Sequence, residues 1–255
     1  MSTLAVVTGA SSGIGSQFAR QLSNRGFDLI LVARNEARLK EVARVCRTKT
    51  EIFVCDLGKE EECFRLLEHL KDKPVALFVN NAGFGNIGLF EECDIKRDIE
   101  MIDVNIKAVH ILTHGILAQM KKEDKGYILN TASVAGLMPG GPLMATYYAT
   151  KAYVVSMTNG IATELKDAGS HIHISALCPG PVDTEFNDVA GVRFSMPGIS
   201  ARSCVIQCIR AMKKQRTIII PSLIVRVSNV MAKIAPRALV LKVIMKGQKS
   251  KLEEK

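Results

Sequence analysis

The chain has 255 residues, 47% hydrophobic and 23% charged, with a net charge of +9, the balance of an ordinary globular protein long enough for one large α/β domain. No Ser/Gly/Pro-rich linker, internal repeat or low-complexity tract divides it. From Ser222 onward eight Lys/Arg stand against two Glu, so the tail carries +6 of the excess; a near-neutral body argues against nucleic-acid binding.

The first strand signal, LAVVT, has no basic region ahead of it and meets glycines after a few apolar residues, unlike a secretion signal, so a cytoplasmic protein is expected. Ile14, Phe18 and Leu22 then share a helix face, DLILVA reads as a second strand, and a charged helix starts at Asn35. EIFVC follows, then Cys63, Leu66, Leu67 and Leu70 at helical spacing, then VALFVN. GYILNTAS, the helix of YYATK with Val154, Ile161 and Leu165, HIHISALC and TIIIP complete the series. Seven apolar strands alternating with helices predict a parallel sheet covered on both faces, a doubly wound Rossmann-like α/β fold in one domain over residues 1–221. Seven cysteines without a CxxC read as buried reduced thiols. His110 and His114 share a helix face but lack a third ligand, so no metal is expected.

TGASSGIG, residues 8–15, sets Gly9, Gly13 and Gly15 between a strand and a helix. The spacing is not GxGxxG, but a strand, a tight turn and a helix N-terminus make a pyrophosphate site, since the backbone approaches closely and unpaired N–H groups point outward. The second strand ends LILVARN. Where an acidic residue would hold the ribose 2′-hydroxyl of NAD stands Ala33, followed by Arg34, a cation suited to a 2′-phosphate; NADP (NADPH) is therefore expected over NAD.

Tyr147 and Lys151 lie one helical turn apart, with Tyr148 pointing a quarter turn away as a pocket or packing residue. Alone, YxxxK would be an incidental pair on a solvated face. With TGASSGIG, CDL at 55–57 and NNAG at 80–83 it resembles the short-chain dehydrogenase/reductase family over residues 3–221. The tail from 222, without the terminal glycine-rich pattern of many tetrameric relatives, looks more like the branch of hydroxysteroid and long-chain ketoacyl reductases. The resemblance implies a catalytic tetrad of Asn105, Ser133, Tyr147 and Lys151. In it Ser133 bonds the reacting oxygen, Lys151 also meets the nicotinamide ribose, and Asn105 holds a water that relays protons to Lys151. It further implies a cofactor cradle of Gly9, Ser11, Ser12, Gly13, Ile14 and Gly15, with Asp56 and Leu57 along the adenine and Asn81, Ala82 and Gly83 bordering the adenosine ribose. Pro179, Gly180, Val182 and Thr184 of PGPVDT would meet the nicotinamide carboxamide and pyrophosphate. The residues themselves agree: a phenol of pKa ~10 must lend or take a proton near neutral pH, and an ammonium one turn away favours the phenolate. Ser133 and Tyr147 are 14 apart where many relatives have 13, which reads as one extra loop residue around PGGP.

Phe84, Leu137, Met138, Met144, Phe186, Phe194 and Met196 are candidate pocket residues, with Arg193 the lone cation of a lid over residues 187–199. Such walls suit an apolar ketone, steroid or ketoacyl compound, or a secondary alcohol, better than a sugar. Residues 222–255 form a basic amphipathic tail, with Leu223, Val227, Met231 and Ile234 in one stripe before Pro236 and Leu239, Val240, Val243 and Ile244 in another after it. Too charged to span a membrane, the tail is expected to pack on the same domain or on a partner copy of a homo-oligomer, to border the substrate entrance, or to lie on an anionic membrane surface. Its polar end, residues 247–255, is expected to be dispensable. The leading expectation is an NADP-dependent oxidoreductase interconverting a carbonyl and a secondary alcohol by hydride transfer, with Tyr147 as acid/base. A non-catalytic NADP-binding regulator or scaffold and a membrane-surface module are the alternatives, and the unbroken tetrad favours the first reading.

Overall fold

The computed structural model describes residues 3–184 and 198–253. The apolar runs form strands β1 (Thr3–Thr8), β2 (Phe27–Ala33), β3 (Thr50–Val54), β4 (Val75–Asn80), β5 (Gly126–Thr131) and β6 (Ile172–Leu177). Short strands β7 (Val182–Asp183), β8 (Ile199–Ser200) and β9 (Ile218–Ile219) follow. Helices are α1 (Gly13–Ser23), α2 (Glu36–Arg44), α3 (Glu60–Leu70), α4 (Ile95–Ile102), α5 (Val109–Met120), α6 (Ala145–Asp167), α7 (Ala201–Met212), α8 (Leu223–Ile234) and α9 (Arg237–Glu253).

Successive strand side chains point to opposite faces, and here both faces are covered. Ala5, Val7, Leu29, Leu31 and Val79 pack under Phe18 and Leu22 of α1, Leu39 of α2 and Cys204 and Val205 of α7. Val6, Ile30, Val32, Phe78 and Ile128 pack under Leu66 of α3, Leu112 and Ile116 of α5 and Leu165 of α6. Burying each large side chain stabilises by roughly 1.5–3 kcal/mol, so the strands are apolar on consecutive positions rather than alternately. The result is a seven-stranded parallel sheet in the order β3-β2-β1-β4-β5-β6-β9, the Rossmann-like fold expected from the sequence. β1 pairs with β2 on one side and β4 on the other, so the strand order reverses at this point and leaves a crevice beyond the carboxyl ends of both.

The strand–helix rhythm read from the sequence does not account for the long helical stretch over residues 95–120. A π-helical turn, Asp103–Ala108, joins α4 to α5 there. Each π turn inserts extra chain into the 3.6-residue period, so the apolar positions on either side fall out of phase. Helix starts follow their capping chemistry: the side chains of Asn35, Asp94, Ser200 and Ser222 accept from backbone N–H groups of α2, α4, α7 and α8. α1 differs, since Ser12 makes no side-chain cap bond and its first turn opens on the crevice.

Candidate active site

A cavity of about 680 Å³ occupies the crevice. Its floor is built by backbone contact. Gly9, at φ +62°, lies so close to Ala82 that a Cβ would come within 2.9 Å of the Ala82 Cα. A Cβ on Gly15 would stand 2.1 Å from the Gly9 carbonyl oxygen, so Gly15 lies beneath the turn and, unlike Gly9, Ser11, Ser12, Gly13 and Ile14, does not line the cavity. Thr8 Oγ1 accepts from the backbone N–H groups of Asn81 at 2.8 Å and Ala82 at 3.0 Å. Asn81 Nδ2 donates to the Thr8 carbonyl at 3.1 Å, and Thr131 Oγ1 donates to Asn81 Oδ1 at 3.3 Å. These bonds tie together the ends of β1, β4 and β5.

At one end of the cavity stand Ala33, Arg34, Asp56 and Leu57. Arg34 Nη1 is 3.3 Å from Glu100 Oε1, an exposed pair that holds the guanidinium only weakly. Arg38, which sequence reasoning passed over, also lines this end. Its signal was present: Asn35 caps α2 by accepting from the Arg38 N–H at 3.0 Å, which sets Arg38 in the first turn of the helix that follows Arg34. Asn81, Ala82, Gly83, Pro179, Gly180, Val182 and Thr184 line the cavity between its ends, with Thr184 packed against Gly13.

Ser133, Tyr147 and Lys151 meet at the other end, all buried. Ser133 follows β5, its Oγ accepts from the Ala135 N–H at 3.2 Å, and its side chain hydrogen-bonds the Tyr147 phenol. Lys151 Nζ lies 5.8 Å from the centroid of the Tyr147 ring and donates to the Thr131 carbonyl at 3.1 Å. Burial pushes the phenol up to about 12 against the opposing Ser133 bond, and burial pushes the Lys151 ammonium down to about 8. The lysine therefore does not lower the phenol as its position one turn away led one to expect. Desolvation pushes each group toward its neutral form.

Asn105 sits behind this cluster rather than in the cavity wall. Its Nδ2 donates to the Phe84 carbonyl at 2.9 Å and to Thr150 Oγ1 at 3.1 Å, and its Oδ1 accepts from the Phe84 N–H at 3.1 Å. A Cβ on Gly83 would come within 2.7 Å of that Oδ1, so the glycine lets the Asn105 amide pin the 83–84 turn to α6.

Phe84, Met144, Tyr147 and Tyr148 form one apolar cluster with Met101, and the Arg97 guanidinium lies 5.3 Å over the Phe84 ring. Arg97 also lines the cavity at this end. Leu137 packs instead against the core group of Val109, Val154 and Ile220, because the 3₁₀ turn Val134–Leu137 carries it away from the cavity. Met138 is also absent from the cavity wall. Phe186, Arg193, Phe194, Met196 and most of the expected lid lie outside the described residues. The PGGP loop has a steric reason: a Cβ on Gly141 would come within 2.2 Å of the Tyr148 ring. His110 pairs through Nδ1 with the Tyr153 hydroxyl at 2.7 Å, away from the cavity.

The tail completes the wall. Ile244, Gly247 and Gln248 of α9 line the cavity, and Gln248, buried, donates from Nε2 to the Tyr148 hydroxyl at 3.1 Å. Gly247 and Gln248 thus belong to the cavity wall, within the end whose polarity implied that it is dispensable.

The family model described as short chain dehydrogenase matches residues 3–191. The chain is 32% identical over 202 residues, 76% of its length and 64% of the relative's, to a very-long-chain 3-oxoacyl-CoA reductase of Anas platyrhynchos. It is similar to a short-chain dehydrogenase from Sphingobium yanoikuyae in complex with NADPH, at 28% identity and TM-score 0.80 over 87% of this chain and 88% of that one. A short-chain dehydrogenase/reductase from Burkholderia phymatum in complex with NAD matches at 26% identity and TM-score 0.81, over 89% and 92%. A parallel sheet reversing at β1, a glycine turn at the crevice and a buried Ser-Tyr-Lys cluster define an oxidoreductase of the nucleotide-dependent α/β class. The chain belongs to the short-chain dehydrogenase family, whose members bind NAD(P).

Two consequences are measurable. Below pH 8 Lys151 is charged in both folded and unfolded states and the fold bears its desolvation; between about 8 and 10.5 only the unfolded state holds the proton, so stability rises with pH. Lys151→Met should therefore exceed the parent in stability at pH 7 by about 3 kcal/mol, with the gap closing by pH 10.5, as read by urea titration at each pH. Gln248→Ala should lower stability by about 1–2 kcal/mol, and ending the chain at Lys246 by at least as much. An unchanged midpoint in both would return residues 247–255 to decoration.

Proposed function

We propose that the chain is an NADP-dependent oxidoreductase interconverting a carbonyl and a secondary alcohol on an apolar substrate: a ketone, steroid or ketoacyl compound. The observation that carries this reading is one cavity with Arg34 and Arg38 at one end and Ser133, Tyr147 and Lys151 at the other. The residues present fit the dinucleotide. The close-packed Gly9 and the uncapped start of α1 suit a pyrophosphate, Arg34 and Arg38 a 2′-phosphate, and Asp56 and Leu57 the adenine. Asn81, Ala82 and Gly83 would border the adenosine ribose, and Pro179, Gly180, Val182, Thr184 and Lys151 the nicotinamide end.

The nicotinamide, when bound, supplies or accepts the hydride. Tyr147 gives its phenolic proton to the carbonyl oxygen or takes one from the alcohol, while Ser133 holds that oxygen by hydrogen bonding. A phenol held up to about 12 stays protonated at neutral pH, the form a carbonyl reduction needs. Lys151, held down to about 8, is mostly charged there and stands ready to balance a phenolate when the proton leaves. Asn105 supports both by fixing the 83–84 turn against α6, and the water relay to Lys151 is the role that the family resemblance implies for it.

The apolar cluster of Phe84, Met144 and Tyr148 supports the substrate class, as does the similarity to a 3-oxoacyl-CoA reductase. Residues 1–221 form the catalytic domain, and residues 222–255 a tail on the same domain. Its contacts support this: Arg226 Nη2 donates to the Ile220 carbonyl at 2.9 Å, and Gln248 bonds Tyr148. Seven free thiols, five of them buried, support a reducing cytoplasmic compartment. The exposed apolar group Leu89, Phe90, Ile95 and Ile99 supports a homo-oligomer. A non-catalytic NADP-binding role is disfavoured by the assembled Ser133, Tyr147 and Lys151.

Tyr147→Phe should cost on the order of 10²- to 10⁴-fold in turnover on a ketone and alcohol panel followed by NADPH absorbance, with cofactor binding kept, and Tyr148→Phe should stay active. If Tyr148→Phe were the inactive variant, the acid/base assignment would fail. Arg34→Ala and Arg38→Ala should each weaken NADPH binding about 10- to 100-fold while leaving NADH binding unchanged. Equal affinity of the parent for the two cofactors would overturn the NADP preference.

A further inference from the structure

Helix α8 turns its apolar side outward. At about 100° per residue, Leu223, Ile224, Val227, Val230, Met231 and Ile234 fall within roughly 120° of its circumference. These six are 51–77% exposed, whereas Asn229 on the other side of the helix is buried. Helix α9 adds Leu239 and Val243, which are also exposed. An amphipathic helix on a water-facing surface turns its polar side out, so this inverted helix has the surface of a covered one.

Charge selects what covers it. Between Ser222 and Ser250 the chain carries Arg226, Lys233, Arg237, Lys242, Lys246 and Lys249 and not one Asp or Glu. A second copy seated on α8 by a two-fold contact would bring the same acid-free segment to the interface, cations against cations. An anionic lipid surface answers both features at once, taking the apolar side chains at the acyl boundary and the cations at the phosphates. No described helix is long and apolar enough to cross a membrane, so the contact is peripheral.

We infer that α8, with the exposed residues of α9, docks this protein on the surface of an anionic phospholipid bilayer. The inference does not depend on the redox reading, because no residue of the stripe lines the cavity. The experiment is co-sedimentation of the full chain with vesicles of phosphatidylcholine alone or with added phosphatidylglycerol, at low and high salt. Binding to the anionic vesicles should be at least about tenfold stronger and should fall with salt. The triple variant Ile224→Ser, Met231→Ser, Ile234→Ser and the charge pair Lys233→Glu, Arg237→Glu should each weaken it about tenfold or more, with ketone turnover and melting midpoint kept. The charge pair keeps the test decisive if the triple variant fails to fold. The inference is overturned if the parent does not pellet with anionic vesicles, or if both variants bind as the parent does. It is also overturned if light scattering shows a dimer that the α8 variant converts to monomer without any vesicle binding, which would make a second copy the occupant.

Discussion

The hydroxyl of Thr8 holds the site open. At the reversal of strand order, β1 and β4 end side by side with turns leaving in opposite directions, and nothing in the sheet itself forces those turns to face each other. Thr8 Oγ1, fully buried, accepts two consecutive backbone N–H groups from Asn81 and Ala82 and so fixes the second turn against the first. Gly9 can then pack its Cα against Ala82 without a Cβ in the way, and the Asn81 amide reaches on to Thr131 at the end of β5. One buried hydroxyl thus couples a phosphate-type turn to the strand end from which Lys151 takes its carbonyl partner, Thr131.

The same burial that makes the cavity a specific site sets the terms of its chemistry. Lys151 and Tyr147 are an acid pair only in the sense that both lose their water, and desolvation drives a phenol and an ammonium in opposite directions, each toward neutrality. A tyrosine kept protonated is a donor that waits, and a lysine close to its own titration at neutral pH is a charge that responds. Burial holds the phenol up to about 12 and the ammonium down to about 8, so it widens the gap between the two groups. For that reason the Ser133 bond, the one opposing contribution at the phenol, carries more weight than the 5.8 Å separation of ammonium and ring.

What was legible in the chain follows from the range over which each feature is decided. LAVVT and VALFVN are strands because both of their faces are buried, a property visible in consecutive residues, and the glycine turn and the Tyr147–Lys151 pair are set by spacings within one turn or one helix. Arg38 was missed although its place is local, because the cap that orients it acts through Asn35, which the Arg34 argument passed over. The π turn hid the continuity of α4 with α5 by breaking the phase on which periodicity relies. Gln248 was out of reach for a different reason: its partner Tyr148 is 100 residues away, and a polar residue near a polar chain end gives no sign that it will be buried.

The tail shows the remaining limit of pattern reading, since a stripe has a width and a spacing but no direction. Leu223, Val227, Met231 and Ile234 were recognisable as one face of a helix, yet the same spacing serves a helix buried in the core and one turned to its surroundings. Direction is decided by the opposite side. In α8 that side holds Val225, which fills the space beside Gly180, and Arg226, which anchors the helix by donating to the Ile220 carbonyl. A glycine at 180 admits the valine side chain so closely that a Cβ there would stand 2.6 Å from it, and Gly180 itself lines the cavity. Val225 and the buried Asn229 thus take the side of α8 that faces the wall behind the site, and its six large apolar side chains are left outside.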